Sequence, residues 1–175
     1  KDIQKQLKFK TENVFQKSFL RDNLIYIVRH EEDKIKKILK TISHIEGSGI
    51  VYVRNRRRTK EIAKILIENN ISAHYYHAGL TNQEKEHKQN QWMQGKTRFI
   101  VATNAFGMGI DKPNVRVVIH YDIPDNPEAY FQEAGRAGRD GKSAYALLLF
   151  NNRDIIDLKR SYNSKYPEID FIKNV

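Results

Sequence analysis

The sequence predicts an α/β domain: a mainly parallel central sheet with helices covering both faces. Two observations predict it. Short β-branched and aromatic runs alternate with stretches that carry apolar residues at helical spacing, and several of the runs are apolar on both faces, as strands buried between two helix layers must be. With 175 residues the chain is long enough to bury a core as one domain, and two full domains would be tight.

Residues 1–22 mix charge with Ile3, Leu7, Phe9, Val14, Phe15 and Phe19 in no clean period and read as a lead-in linker. The domain proper is expected over 23–150. Asn23–Val28 is the first strand, and Ile35, Ile38, Leu39 and Ile42 mark the helix that follows Arg29–Asp33. Gly47-Ser48-Gly49 stops it and releases the strand Ile50–Val53, after which Thr59–Asn70 carries Ile62, Ala63, Leu66 and Ile67 on one face. Ile71–His77 is a third strand. Thr81-Asn82-Gln83-Glu84 has the form of a capping box, so a helix starts there and runs to about Gln94, before Gly95. Phe99–Thr103 and Val115–Tyr121 are strands, Asn126-Pro127 caps a helix running to about residue 136, and Ser143–Phe150 is the last strand. Residues 151–175 read as a closing helix, marked by Ile155, Ile156 and Leu158, and a tail towards a following domain.

Charge and composition narrow the function. Thirty-one Lys and Arg against 21 Asp and Glu give a formal charge of +10, which suits a polyanion such as nucleic acid. There is no cysteine, which excludes disulfides, thiol catalysis and cysteine-bound zinc within these residues. No apolar run approaches a membrane span and Lys1–Lys10 is too polar for a signal peptide, so a cytoplasmic protein is expected.

In open α/β sheets ligands gather outside the carboxyl ends of the strands. Three loops there are suggestive: Arg54-Asn55-Arg56-Arg57-Arg58, His77-Ala78-Gly79, and Thr103 to Asp111 with Gly107 and Gly109. The arginine run is either a phosphate-contacting loop or a solvated helix start. Arginines at a helix N-terminus oppose the dipole by a few tenths of a kcal/mol each, roughly, which favours an anionic partner. His77 alone is equally a satisfied strand-end histidine, and Thr103 and Asn104 equally cap a turn. Arg136 and Arg139, three apart at a helix end, offer two permanently charged donor forks suited to a triphosphate, or pair with Glu133 and Asp140 on the surface. Gly95-Lys96-Thr97 is not a phosphate-binding loop, because the required first glycine falls at Asn90 inside a helix. His30–Asp33 opens a helix and does not read as a metal-holding acidic box.

Four segments carry a family resemblance: Gly49–Arg56, Tyr76–Leu80, Val101–Pro113 (VATNAFGMGIDKP) and Tyr130–Gly141 (YFQEAGRAGRDG). They resemble motif IV, the segment after it, motif V and motif VI in the second RecA-like lobe of RecQ-type, superfamily 2 DNA helicases. The resemblance implies a three-layer, P-loop NTPase type fold. It implies Arg139 as the arginine finger supported by Arg136 and Gln132, with Asp111 and Gly109 facing ATP. It implies Arg56, His77, Gly79, Thr103 and Asn104 along single-stranded DNA. ATP and Mg²⁺ would be held mainly by an N-terminal RecA-like lobe outside this chain, and this chain alone would not hydrolyse ATP. Zinc would not bind here, and DNA, single-stranded and duplex, would be the partner, on the nucleoid in a bacterium, in DNA repair and recombination. Asn55 and the extra Arg57 and Arg58 depart from the usual motif IV. The alternatives are a stand-alone nucleic-acid-binding module, or a lobe of an RNA helicase or translocase of the same superfamily.

Overall fold

The computed structural model describes residues 2–8, 20–107 and 109–165. Phe9, Val14, Phe15, Phe19, Met108 and the tail from residue 166 lie outside the described residues. The order is α1 (Asp2–Gln6), β1 (Leu24–His30), α2 (Lys34–Ser43), β2 (Ser48–Tyr52), α3 (Arg56–Glu68), β3 (Ala73–Tyr76), α4 (Asn82–Met93), β4 (Phe99–Ala102), β5 (Val115–His120), α5 (Pro127–Ala134), β6 (Ala144–Phe150) and α6 (Asn152–Lys165). The six strands form one sheet in the order β1-β6-β5-β2-β4-β3. All five pairings are parallel, so the expected mainly parallel sheet is wholly parallel among the described residues.

Alternation along the strands sorts the core into two layers. Ile50, Tyr52, Ile100, Ala102 and Val118 join Trp92 and Ala134, from α4 and α5, on one face. Val51, Val101, Val117 and Ile119 join Ile38, Ile42, Ile62 and Leu66, from α2 and α3, on the other. Chain leaving β2 therefore turns to one face and chain leaving β5 to the other. These strands are neighbours, so a crevice opens between their carboxyl ends, the switch point of an open parallel sheet.

Local chemistry explains most boundaries. Thr81 and Glu84 make the reciprocal capping box, and Asn126 caps α5 with proline in the first turn. Several boundaries differ from the sequence expectation, among them the starts of β2 and β3, and three have a clear local cause. β1 continues to His30, because its parallel pairing with β6 extends to Phe150. α3 starts at Arg56, three residues early, because the Asn55 side chain accepts the Arg57 N–H and caps it there. α5 stops at Ala134, and Gly135 begins a run of turns that carries Arg136 and Arg139 off the helix. Among the described residues no helix is long and apolar enough to cross a membrane.

Lys34, only 3% exposed, joins three elements that are far apart in sequence. Its ammonium donates to Asp154 of α6 at 2.5 Å and to the Tyr121 carbonyl just past β5 at 2.6 Å, and lies 4.8 Å from the Tyr121 ring. Asp154 in turn accepts the Asn151 N–H at 2.6 Å. Removing one partner leaves a buried charge uncompensated, which costs far more than removing both. Asp154→Ala should lower unfolding free energy by about 3 kcal/mol in urea titrations, and Lys34→Met combined with Asp154→Ala should recover a substantial part of that loss.

Candidate functional site: the carboxyl edge of the sheet

Because every described strand runs the same way, the loops after β2, β3, β4 and β5 lie along one edge. The segment after β4, Thr103–Asp111, is its centre. Thr103 is buried and its N–H donates to the Tyr76 carbonyl at 3.2 Å, which joins this loop to the end of β3. Further on, the Phe106 carbonyl accepts the Tyr52 hydroxyl at 2.9 Å, and the Gly107 carbonyl accepts the Arg136 Nη1 at 2.5 Å. Gly107 leaves the room that the Arg136 guanidinium occupies: a Cβ would stand 2.2 Å from its Nη2 and 2.6 Å from its Cζ, and would displace it. Arg139 Nη1 donates to the Ile110 carbonyl at 3.1 Å and to Asp111 Oδ1 at 2.8 Å. Arg136 and Arg139 thus both meet one loop, although they sit in turns rather than on a helix end. Neither pairs with the acids expected on the surface reading: Glu133 binds His120, and Asp140 binds Arg116 at 2.5 Å.

The turn carrying the arginines is stapled from residues that sequence reasoning did not single out. Arg21, in the segment read as a lead-in, donates to the carbonyls of Gly135 (3.1 Å) and Gly138. Asn23 Nδ2 donates to Gly138 at 2.7 Å and to Lys142 at 2.8 Å, and the Gly138 N–H donates to Val115 at the start of β5. Gln132 and Gly109 are exposed, Gly109 with a positive φ of 74° beside Asp111.

A second cluster flanks the first. His77, 6% exposed, follows β3, and its Nδ1 is buried with no partner among the described residues. A Cβ on Gly79 would lie 3.1 Å from Arg56 Nη1 and 3.4 Å from His77 Nδ1, so the glycine leaves the space between these two groups open. Burial, then Lys60 and Arg56, push the His77 pKa below its ordinary value. The neighbouring arginines differ: Arg54 meets Asp125, Arg57 meets Glu61 and Arg58 meets Asp122, whereas Arg56 has no ion pair among the described residues. The structure therefore brings Arg56, His77 and Gly79 together. Thr103 joins them through β3, while the exposed Asn104 lines the crevice with Tyr52, Arg54, His120, Asp122 and Glu133.

Beneath the crevice lies a network with no local sequence signal. His120, 1% exposed, pairs its Nε2 with Glu133 at 2.9 Å and stacks on Tyr52 with ring centroids 5.4 Å apart. Burial raises the Tyr52 pKa, which keeps its hydroxyl a donor to Phe106, and burial raises that of Tyr130 beside it to about 12. A tyrosine and a histidine at strand ends read as core, and only their partners give them a role. Glu133→Ala removes the partner of a buried imidazole nitrogen. It should lower unfolding free energy by about 1–3 kcal/mol, measured by thermal or urea unfolding, with Glu133→Gln retaining most of the stability.

Comparison with known proteins adds an independent finding. Residues 33–141 match the family described as helicase conserved C-terminal domain. The chain is 39% identical over 163 residues to the ATP-dependent DNA helicase hus2/rqh1 of Schizosaccharomyces pombe, covering 91% of this chain and 12% of that protein. It is 40% identical over 156 residues to the ATP-dependent DNA helicase RecQ of Bacillus subtilis, covering 89% of this chain and 26% of that protein. The chain thus spans about an eighth to a quarter of the length of these relatives. A solved structure of S. cerevisiae Dbp5 with Gle1 shares the fold at a TM-score of 0.75 and 20% identity, over 96% of this chain and 45% of that one.

Proposed function

Because this chain belongs to the helicase conserved C-terminal domain family, of the RecQ type, we propose that it is the second motor lobe of an ATP-dependent DNA helicase that moves 3′ to 5′ on single-stranded DNA and separates duplexes in repair and recombination. One observation carries the reading: the Thr103–Asp111 loop abuts the Arg56–His77–Gly79 cluster at one end and receives both Arg136 and Arg139 at the other. A single loop then senses DNA and nucleotide.

In this reading Arg56, His77 and the backbone at Gly79 hold strand phosphates, a sequence-independent mode that weakens with salt. Thr103 and Asn104 continue that contact. Arg139 exchanges the Asp111 carboxylate for the γ-phosphoryl oxygens of ATP and stabilises the charge that develops on them. Arg136, clasped to Gly107, sets the position of the turn, while Gln132, Gly109 and Asp111 form the wall facing the nucleotide. In this reading the main grip on ATP and on the Mg²⁺ that accompanies it belongs to the N-terminal lobe. The partners are that lobe and DNA, and in a bacterial cell the site of action is the nucleoid.

Arg139→Ala, made in the protein containing both lobes, should slow DNA-stimulated ATP turnover by roughly 10³ to 10⁵ while single-strand affinity stays unchanged. Turnover that survives the substitution would remove the finger and leave a nucleic-acid-binding module. This chain on its own should show no DNA-stimulated ATPase in a phosphate-release assay, and measurable turnover would contradict the division of labour between lobes.

A further inference from the structure

The β3 edge carries a concentration of positive charge that the proposed DNA edge leaves unused. β3 ends the sheet, and its Tyr75 ring is approached from both faces: Lys60 of α3 brings its ammonium to 5.3 Å, and Lys88 of α4 to 4.1 Å. His77 stacks on the same ring with centroids 5.7 Å apart. Arg56 lies one helical turn before Lys60, its guanidinium beside Gly79. A row runs from Arg56 through His77 and Lys60 to Lys88, with His74 and His87 beyond.

Two carboxylates lie nearby. Glu61 is engaged by Arg57, while Glu84, held by the Thr81 N–H and hydroxyl in the capping box, keeps its charge and attracts Lys88 and His77, a single carboxylate against Arg56, Lys60 and Lys88. Crowding of like charge is visible in the groups themselves. After burial, Lys60 helps to lower His77 and Lys88 helps to lower His74, while at Lys88 the attraction of Glu84 outweighs the repulsion of Lys60. A charged edge guards a terminal strand against pairing with another chain, but charges of either sign serve that purpose. A row with this excess of positive charge opposes the compact state unless a further anion shares it.

We propose that this row is a second nucleic-acid contact, in which Lys60 and Lys88 take phosphates of single-stranded DNA as it leaves the Arg56–His77–Gly79 cluster along the β3 edge. The inference rests on the DNA edge proposed above. Tyr75 serves as the post that holds both ammonium groups in place, not as a stacking platform, because both lysines and His77 already occupy its ring.

The test compares oligothymidylates of roughly 6 and roughly 20 nucleotides on the protein containing both lobes, with affinities read across a salt series. Lys60→Gln combined with Lys88→Gln should weaken the long strand by roughly 25-fold at about 0.1 M salt, reduce the magnitude of its log–log salt slope by roughly 1.4, and leave the short strand unchanged. Lys60→Arg with Lys88→Arg should keep the parental slope, which separates charge from packing. Arg56→Ala should weaken both strands. If Arg56→Ala weakens both and the glutamine pair leaves the long-strand slope intact, the row is not a DNA contact although the edge is. If Arg56→Ala changes neither, the edge reading fails and the row falls with it.

Discussion

Arg136 and Arg139 reach the carbonyls of Gly107 and Ile110 from a turn that follows α5, while Tyr52 holds the Phe106 carbonyl from the sheet below. The conformation of the whole carboxyl edge depends on these contacts, because they fix from outside a loop that lacks a helix or strand of its own. The two arginines are held differently. Arg136 is partly buried, folded against the Gly107 backbone in space that a Cβ would fill and bonded to its carbonyl. Arg139 is bound chiefly to Asp111, whose side chain is 79% exposed. An exposed ion pair contributes about 0–1 kcal/mol, so Arg139 gives up that partner at little cost. One arginine is suited to transmit position and the other to change partner.

The net charge of +10 is spent unevenly along this edge. Around the crevice between β2 and β5, Arg54 and Arg58 are matched by Asp125 and Asp122, and Lys34 by Asp154. Towards β3 the matching is partial, with Glu84 alone set against Lys88 and His77. Arg56, His77, Lys60 and Lys88 face one another with a glycine between the first two and a tyrosine between the last two. Formal charge therefore suits a polyanion without placing it, and the sorting of paired from unpaired cations is what locates the proposed DNA contact.

Much of the fold was legible because its signals are local. The capping box at Thr81, the Asn126-Pro127 start and the β-branched runs each act within a few residues. The missed boundaries were also local: Asn55 is an ordinary N-cap, obscured by the arginines behind it, and Gly135 ends α5 where the arginine spacing suggested continuation. The fold class followed from strand and helix alternation, whereas the order β1-β6-β5-β2-β4-β3 depends on pairings between segments far apart and had no sequence signal. The same holds at the site. Glycine spacing and motif resemblance marked Gly107, Asp111, Arg136 and Arg139, but the contact of Arg139 with Asp111 and the role of Tyr52, His120 and Glu133 arise only when four elements meet.

Arg21 and Asn23 extend that logic to the chain before β1. They bind the carbonyls of Gly135, Gly138 and Lys142, more than a hundred residues away, on either side of Arg139. The turn is thereby gripped on three sides: by the segment preceding β1, by Val115 at the start of β5, and by the loop after β4. The two bonds from the charged Arg21 contribute about 1.5–3 kcal/mol each and the two from the neutral Asn23 amide about 0.5–1.5 each, against about 0–1 for the exposed Arg139–Asp111 pair. A displacement of the segment before β1 therefore moves the arginine turn as a body before it breaks it. Arg21, which reads as part of a linker, thus helps to fix the turn that carries Arg139.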